Sequence, residues 1–373
     1  MARGVERNVR VAIDTSFLAR APNGTRTYVE QLLRHLPSVA PDVDLVRVAP
    51  TSPVVGRAGQ ARWELVVISR SAGRHRPTIL HIPSFSAPLH SPCPLVVTVH
   101  DVIPLVLPAY RRSAAMRAHL AVATRTVRRA AAVITPSRHA ATDVVRWLGV
   151  DPARVHVTPE AVDEAMGPAQ DVDALTPALR RLRITGRYVF NIGGLDVRKG
   201  IPLLLEAFAK VRTSSVEPLQ LVVAGAAHTG NPHVYPPIEP IIERMGLMGH
   251  VILPGRVSEE EKLALYQGAA AYATPSCYEG FGLTPLEAMA CGVPVVAADR
   301  TSLPEVVGDA GLLVDLHVDA WAAALTSVVT DPLLAADLRR RGLARAATFS
   351  WRETAGLTAD VYRSVADHRT WRP

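Results

Sequence analysis

Short runs of valine, isoleucine, leucine and alanine recur along the chain, each followed by a turn and then by residues with a helical period. In the first half they fall at 8–14, 45–49, 64–68, 79–82, 95–99, 131–135 and 154–158. In the second half they fall at 187–192, 219–224, 251–253, 271–274, 293–298 and 312–315. These runs are apolar at nearly every position rather than at alternate ones. That is the pattern of strands buried on both faces, which a parallel sheet covered by helices provides. Helices are expected over about 25–36, 110–130, from Ser137 to about 148, near Leu203, and over 258–267, 284–292, 320–329, 333–346 and 351–366. Two such series in 373 residues predict an α/β protein of two domains, each with its own core. The segment 160–186, mixed in Pro, Asp and Ala, reads as the linker plus a short helix.

The densest chemistry lies in the stretch SCYEGFGLTPLEAMACGVPVVAA, residues 276–298. Thr284 followed by Pro285 reads as an N-cap with proline at the first helical position. Glu287, three residues after Thr284, completes a capping-box pattern, and Gly292 is placed to end the helix. A glycine loop running into a helix start points backbone N–H groups outward, which makes an anion site from Gly280, Phe281, Gly282 and Leu283. Glu279 and Glu287 stand beside it, and carboxylates accept hydrogen bonds from hydroxyls. Phosphates and hydroxyls side by side suggest a nucleotide sugar.

Other strand ends add to this picture. The run 187–192 is followed by Gly193-Gly194 and then Arg198-Lys199-Gly200. The spacing fits neither a Walker A loop nor the dinucleotide fingerprint. It leaves a glycine turn with two cations behind it, which suits a diphosphate. Gly225 and Gly255 also fall at strand ends, and His100-Asp101 ends the run 95–99. Ligands of open parallel sheets bind beyond the carboxyl ends of the strands, so all of these lie on the ligand side.

Composition narrows the classes. Hydrophobic content of 48% with 20% charged residues describes a globular protein. No apolar run approaches the roughly 18 residues of a spanning helix. Residues 1–14 lack the apolar core of a signal peptide, and Cys93, Cys277 and Cys291 have no metal spacing. A cytoplasmic protein without a bound metal or cofactor is therefore expected. The formal charge of +7 is carried almost wholly by arginine, with Lys199, Lys210 and Lys262 the only lysines. No nucleic-acid motif accompanies it. The arginine-rich helix over 110–130 is by default a solvated face, with peripheral contact to an anionic membrane at its inner face as the alternative. The Asp-x-Asp triplets at 42–44 and 171–173 follow no strand end and are read as chance.

Glu279 and Glu287, separated by seven residues, resemble the E-x7-E motif of the retaining family 4 glycosyltransferases. The surrounding EGFGLTPLEAMACGVPVV and the downstream PEVVGDAGLLVD at 304–315 are similar to that family's C-terminal domain. The resemblance implies the GT-B fold, two doubly wound Rossmann-like domains facing a central cleft. Residues 1–165 would form the acceptor side, residues 186–350 the donor side, and the helix over 351–373 would pack back on the first domain. It also implies roles. Arg198 and Lys199 would hold the donor phosphates, Glu279 the sugar hydroxyls, Glu287 the ribose, and His100 the far side of the sugar. Gly24 matches a loop glycine that approaches the donor, although Arg26 stands where the commoner pattern has its next glycine. The implied reaction is retaining transfer of a hexose to an acceptor hydroxyl of a glycan, glycolipid or cell-envelope polysaccharide. GDP-mannose leads as donor and co-substrate, because His100-Asp101 and the GFGL loop resemble bacterial mannosyltransferases; rhamnose, glucose and galactose donors stay open. The alternatives are a nucleotide-sugar epimerase of the same architecture and a non-catalytic sugar-nucleotide-binding subunit.

Overall fold

A computed structural model describes residues 8–19, 24–54, 56–171, 173–214, 218–226 and 231–367. The chain divides into two compact units, one of residues 1–160 with 350–373 and one of residues 161–349. Each carries a six-stranded sheet, and all the strand pairings are parallel. This is the doubly wound architecture of the GT-B fold. Among the described residues no helix is long and apolar enough to cross a membrane.

In the first unit β1 (Val9–Asp14), β2 (Val43–Val48), β3 (Ile79–Ile82), β4 (Leu95–Thr98), β5 (Ala132–Thr135) and β6 (Val155–Val157) lie in the order β2-β1-β3-β4-β5-β6. Every residue of β3, β4 and β5 is buried, as strands covered on both faces require. The helix Trp351–Asp367 belongs to this unit. Its Thr354 hydroxyl donates to the Pro159 carbonyl, and Arg363 grips both oxygens of Asp42 at 2.7 and 2.8 Å.

In the second unit β7 (Arg187–Ile192), β8 (Leu219–Ala224), β9 (Val251–Gly255), β10 (Ala271–Thr274), β11 (Val295–Ala298) and β12 (Leu312–Val314) lie in the order β12-β11-β10-β7-β8-β9. The chain reverses its direction of travel across the sheet between β7 and β10. A crevice opens at such a point outside the strand ends, because the connections leave to opposite faces. Phe190, Tyr266, Tyr272 and Trp321 are fully or almost fully buried in this unit's core.

Three expectations are corrected. Residues 64–68 are not a strand: the helices Gly56–Arg62, Trp63–Val67 and Ile68–Gly73 run on end to end. Trp63, Glu64, Ile68 and Ala72 are buried while Val66 is 38% exposed, a helical spacing that five consecutive strand-compatible residues concealed. The arginine-rich helix starts later, at Ala114, because Ser113 takes the Met116 N–H and caps it. The domain boundary falls earlier than the linker reading, since the second unit begins at Ala161, and Val162 and Met166 pack against its core.

The glycines at the ends of β7, β8 and β9 interlock. Gly193 N–H donates to the Ala224 carbonyl at 3.0 Å, and Gly225 N–H to the Gly255 carbonyl at 2.8 Å. Gly225 has φ +148°, and a Cβ there would lie 1.7 Å from the Gly193 carbonyl oxygen, a backbone atom that cannot step aside. Gly255 has φ +73° with open space around it. Gly225→Ala is therefore expected to cost more than about 4 kcal/mol. Gly255→Ala should cost only the roughly 1–2 kcal/mol of a left-handed residue. Thermal denaturation of both variants checks this, and equal losses would contradict the interlock.

Candidate functional site

The chemistry expected in the second unit collects where β7 and β10 end side by side. After β7, Gly193 and Gly194 turn the chain, and the Asp196 carboxylate accepts the Arg198 N–H, capping the short turn Val197–Lys199. Gly200, at φ +65°, lets this turn press on the segment after β10. A Cβ at that position would lie 2.3 Å from the Pro275 carbonyl. The Cys277 N–H then donates to the Arg198 carbonyl at 2.7 Å, clamping the two loops together.

That clamp brings Glu279 between two cations. Arg198 Nη1 donates to Glu279 Oε2 at 2.7 Å and Lys199 Nζ to Oε1 at 2.7 Å, while Arg198 Nε lies 3.2 Å from Asp196 Oδ1. Lys199 is 5% exposed and the Glu279 side chain 13%. Burial alone would raise the Glu279 carboxyl, but Lys199 and Arg198 outweigh it and hold it down at about 2. Glu279 is thus an ionised acceptor, unable to serve as an acid. Behind it the Glu279 N–H donates to the Thr301 hydroxyl at 3.0 Å. Ser302 Oγ lies within donating distance of the carbonyls of Glu279 and Phe281, at 2.9 and 2.7 Å.

The helix that follows is Leu283–Ala290, and Gly282, at φ +120°, is its N-cap. Thr284 therefore sits inside the first turn and is not the cap, and Glu287 is not a capping-box partner. Glycine's positive φ starts the helix two residues earlier than the sequence pattern suggested. Pro285 remains tolerated because the first four N–H groups of a helix have no intrahelical acceptor. Gly282 has no side chain with which to cap this helix start. Phe281 contributes main chain only, since its ring is buried against Phe349 at 5.9 Å.

Glu287 belongs to another cluster. The Tyr266 hydroxyl donates to its Oε2 at 2.7 Å and Lys262 Nζ lies 3.3 Å from its Oε1. Lys262 is shared with Glu259 at 2.7 Å. Burial raises the Glu287 carboxyl more than Lys262 and Tyr266 lower it, so it ends above the usual range, opposite in direction to Glu279.

In the first unit, His100 follows β4. Its Nδ1 lies 2.7 Å from Glu160 Oε1, and the ring meets Tyr28 edge-on at 5.0 Å. Among the described residues His100 Nε2 makes no close hydrogen bond, while the Pro83 main chain lies near enough to act on the ring. Gly24 opens the helix Gly24–Val39 and is exposed, and the expected turn at Pro22-Asn23 before it lies outside the described residues. A buried chain runs beneath. Tyr28 OH is 3.0 Å from Thr98 Oγ1, which is 2.8 Å from His81 Nε2, and His81 Nδ1 is 2.6 Å from Tyr362 OH.

The Asp-x-Asp aspartates are committed elsewhere. Asp42 and Asp44 flank the opening of β2, held by Arg363 and Arg10, at the end of the sheet opposite His100. Asp171 accepts the Asp173 N–H.

Sequence reading missed Asp196, Lys262, Tyr266, Thr301, Ser302 and Glu160. Only Asp196 and Glu160 carried a signal, as carboxylates just beyond strand ends.

Comparison with known proteins agrees with the geometry. The family model "Glycosyl transferases group 1" matches residues 180–345, and "Glycosyltransferase Family 4" matches residues 22–165. The chain is 31% identical over 287 residues to the O-antigen chain mannosyltransferase B of Escherichia coli, covering 76% of this chain and 74% of that one. It is 33% identical over 249 residues to the D-inositol 3-phosphate glycosyltransferase of Xylanimonas cellulosilytica, and 32% over 247 residues to the MMP alpha-(1->4)-mannosyltransferase of Mycolicibacterium hassiacum. Those two alignments each cover 65% of this chain but 58% and 56% of the relatives. In fold it is similar to sucrose-phosphate synthase from Thermosynechococcus elongatus, with TM-score 0.76, 20% identity and coverage of 95% and 98%. It is similar also to Anabaena Alr3699/HepE in complex with UDP and glucose, with TM-score 0.73, 19% identity and coverage of 95% and 99%. With both halves matched in order and the fold reproduced, the chain belongs to the group 1, family 4 glycosyltransferases of GT-B architecture.

Proposed function

We propose that this glycosyltransferase moves mannose from GDP-mannose, with retention, to an acceptor hydroxyl in the assembly of a cell-envelope polysaccharide. The observation that carries the reading is Glu279, held ionised between Arg198 and Lys199 at the reversal point of the second sheet and followed by a helix start without a side-chain cap. Two of the relatives named above are mannosyltransferases, and one of these builds an O-antigen chain.

The chemistry follows from what each group can do. A guanidinium carries five donors and an ammonium three, more than one glutamate can take, so Arg198 and Lys199 can serve a diphosphate as well. With the helix-start amides they meet the charge that builds on the leaving group, as preorganised donors do. The bond from the sugar's anomeric carbon to the diphosphate breaks with its electron pair going to phosphate. The acceptor oxygen bonds to that carbon on the same face, and its proton passes to a phosphate oxygen. No enzymic nucleophile is required. Glu279 accepts hydrogen bonds from the sugar and faces its developing positive charge, and Glu287 accepts from the ribose.

Because phosphate binding falls to cations and amides, turnover is expected to survive EDTA. Loss of activity restored by Mg²⁺ or Mn²⁺ would overturn that assignment. Glu279→Gln should lower kcat by roughly 10²–10³, the scale of losing one preorganised electrostatic contact. Glu287→Gln should instead weaken nucleoside-diphosphate binding, measured by calorimetry, by about tenfold or more, the worth of a charge-assisted hydrogen bond. Unchanged nucleotide affinity in Glu287→Gln, or equal kcat losses in both variants, would contradict this division. A hydrolysis screen across nucleotide sugars decides the donor, with preference for a uridine nucleotide counting against GDP-mannose.

Glu279 also makes stability depend on pH. Its folded carboxyl, at about 2, lies below the ordinary value of 4.5. Its contribution is therefore complete above pH ~4.5 and is lost as pH falls through that value toward about 2. Glu279→Gln should flatten this acid limb in thermal melts, and an unchanged limb would show that the pair contributes nothing to folding.

A further inference from the structure

The first unit places a buried carboxylate on His100. Glu160 is 4% exposed, and its Oε1 lies 2.7 Å from His100 Nδ1. An ionised carboxylate can only accept, so Nδ1 must be the donor in this pair. That fixes the options at the other nitrogen. Nε2 of a neutral ring would be a bare acceptor, and Nε2 of a charged ring would donate. We propose that Glu160 is a positioning residue that holds His100 as an imidazolium, so that Nε2–H donates to an oxygen gaining negative charge during transfer. This rests on the function proposed above and gives His100, which the family resemblance places at the far side of the sugar, the part of a cationic donor.

The surroundings support a cation. From its own segment His100 faces Asp101, and from the segment after β6 it faces Glu160. From β3 comes His81, which burial and the charge of His100 press down to about 3, so it stays neutral. From the helix Gly24–Val39 comes Tyr28, whose hydroxyl burial pushes far above its ordinary value, so it too is neutral. Burial works against the charged ring of His100, yet Glu160, with Asp101 and the Pro83 main chain, raises its pKa above 6.5. Without the Glu160 carboxylate, the largest of the groups that favour the charged ring is gone, and only Asp101 and the Pro83 main chain are left to oppose burial, which favours the neutral ring. The ring is also fixed in place. The edge of Tyr28 touches it, and Tyr28 is tied through Thr98 and His81 to Tyr362 of the helix Trp351–Asp367.

The test compares the full-length protein with Glu160→Gln and Glu160→Asp. Imidazole NMR of histidine-labelled protein follows His100 across pH 5–9, its signal identified by its loss in His100→Ala. In the unsubstituted protein His100 should titrate above 6.5, and in Glu160→Gln below it. Hydrolysis of GDP-mannose is measured in parallel. In Glu160→Gln kcat should fall by about tenfold for each unit that the histidine pKa drops below the assay pH, and should recover as the pH is lowered. KM for the donor should move far less than kcat. Glu160→Asp, which keeps the charge, should restore part of the alkaline limb. An unchanged His100 titration in Glu160→Gln would overturn the proposal. So would a loss of kcat that is the same at every pH and parallels a fall in Tm, since that marks a merely structural residue. If the unsubstituted protein turns over no donor, the proposed function fails, while the NMR titration still decides whether Glu160 sets the charge of His100.

Discussion

The bridge from Arg198 and Lys199 to Glu279 is the contact on which the second unit's site depends. Taking ions out of water costs several kcal/mol each even after relaxation, and only close, well-aligned pairing offsets it. Lys199 and Glu279 are both largely buried, and their 2.7 Å contact sets one charge against the other. The surrounding backbone serves that pairing. Gly200 allows the cationic turn to meet Pro275, and the Cys277 N–H locks that contact. Ser302 and Thr301 then hold the backbone of Glu279 from the other side. A residue with a larger side chain at Gly200 would move the cations and the carboxylate apart together.

Much of this was readable in the chain because strand ends carry their own punctuation. The glycines after β7, β8 and β9 and the cations after Gly194 stood out against apolar runs, and their side of the sheet followed from the parallel topology. What could not be read were the partners that come from far along the sequence. Lys262 and Tyr266 look like ordinary residues of an exposed helix opened by a capping box at Ser258. Their service to Glu287 depends on how that helix packs against Leu283–Ala290, which no local pattern encodes. Thr284 misled for the reverse reason. Its local pattern was a good cap, and the positive φ of Gly282, which starts the helix earlier, overrode it. The run 64–68 failed because five apolar-rich residues carry no period of their own.

The first unit shows the same division between local and distant signals. His100 could be placed because it ends a strand. Its partner Glu160 is 60 residues away, and the His81–Tyr362 contact spans 281 residues. Histidines 81 and 100 are close enough to feel each other's charge, yet their environments send them in opposite directions. One is caught between a threonine and a tyrosine with no carboxylate in reach of its nitrogens, and the other has Glu160. A histidine count would have weighed them equally.

The two glutamates of the second unit are separated by the same logic. Glu279 faces two full cations at 2.7 Å, while Glu287 has one at 3.3 Å and a neutral phenol. Glu279 is therefore the firmer negative charge, which suits a group placed against a sugar turning positive, and Glu287 suits a neutral ribose. Pairing also bears on product release. Cations left bare would grip a diphosphate equally before and after transfer, and uniform binding of that kind does nothing for kcat. With Glu279 and Asp196 already sharing Arg198 and Lys199, the ground-state attraction is reduced. In the proposed reaction those contacts strengthen as the bond breaks and charge accumulates on phosphate. A site made of opposed charges is in this way better matched to the transition state than a purely basic one.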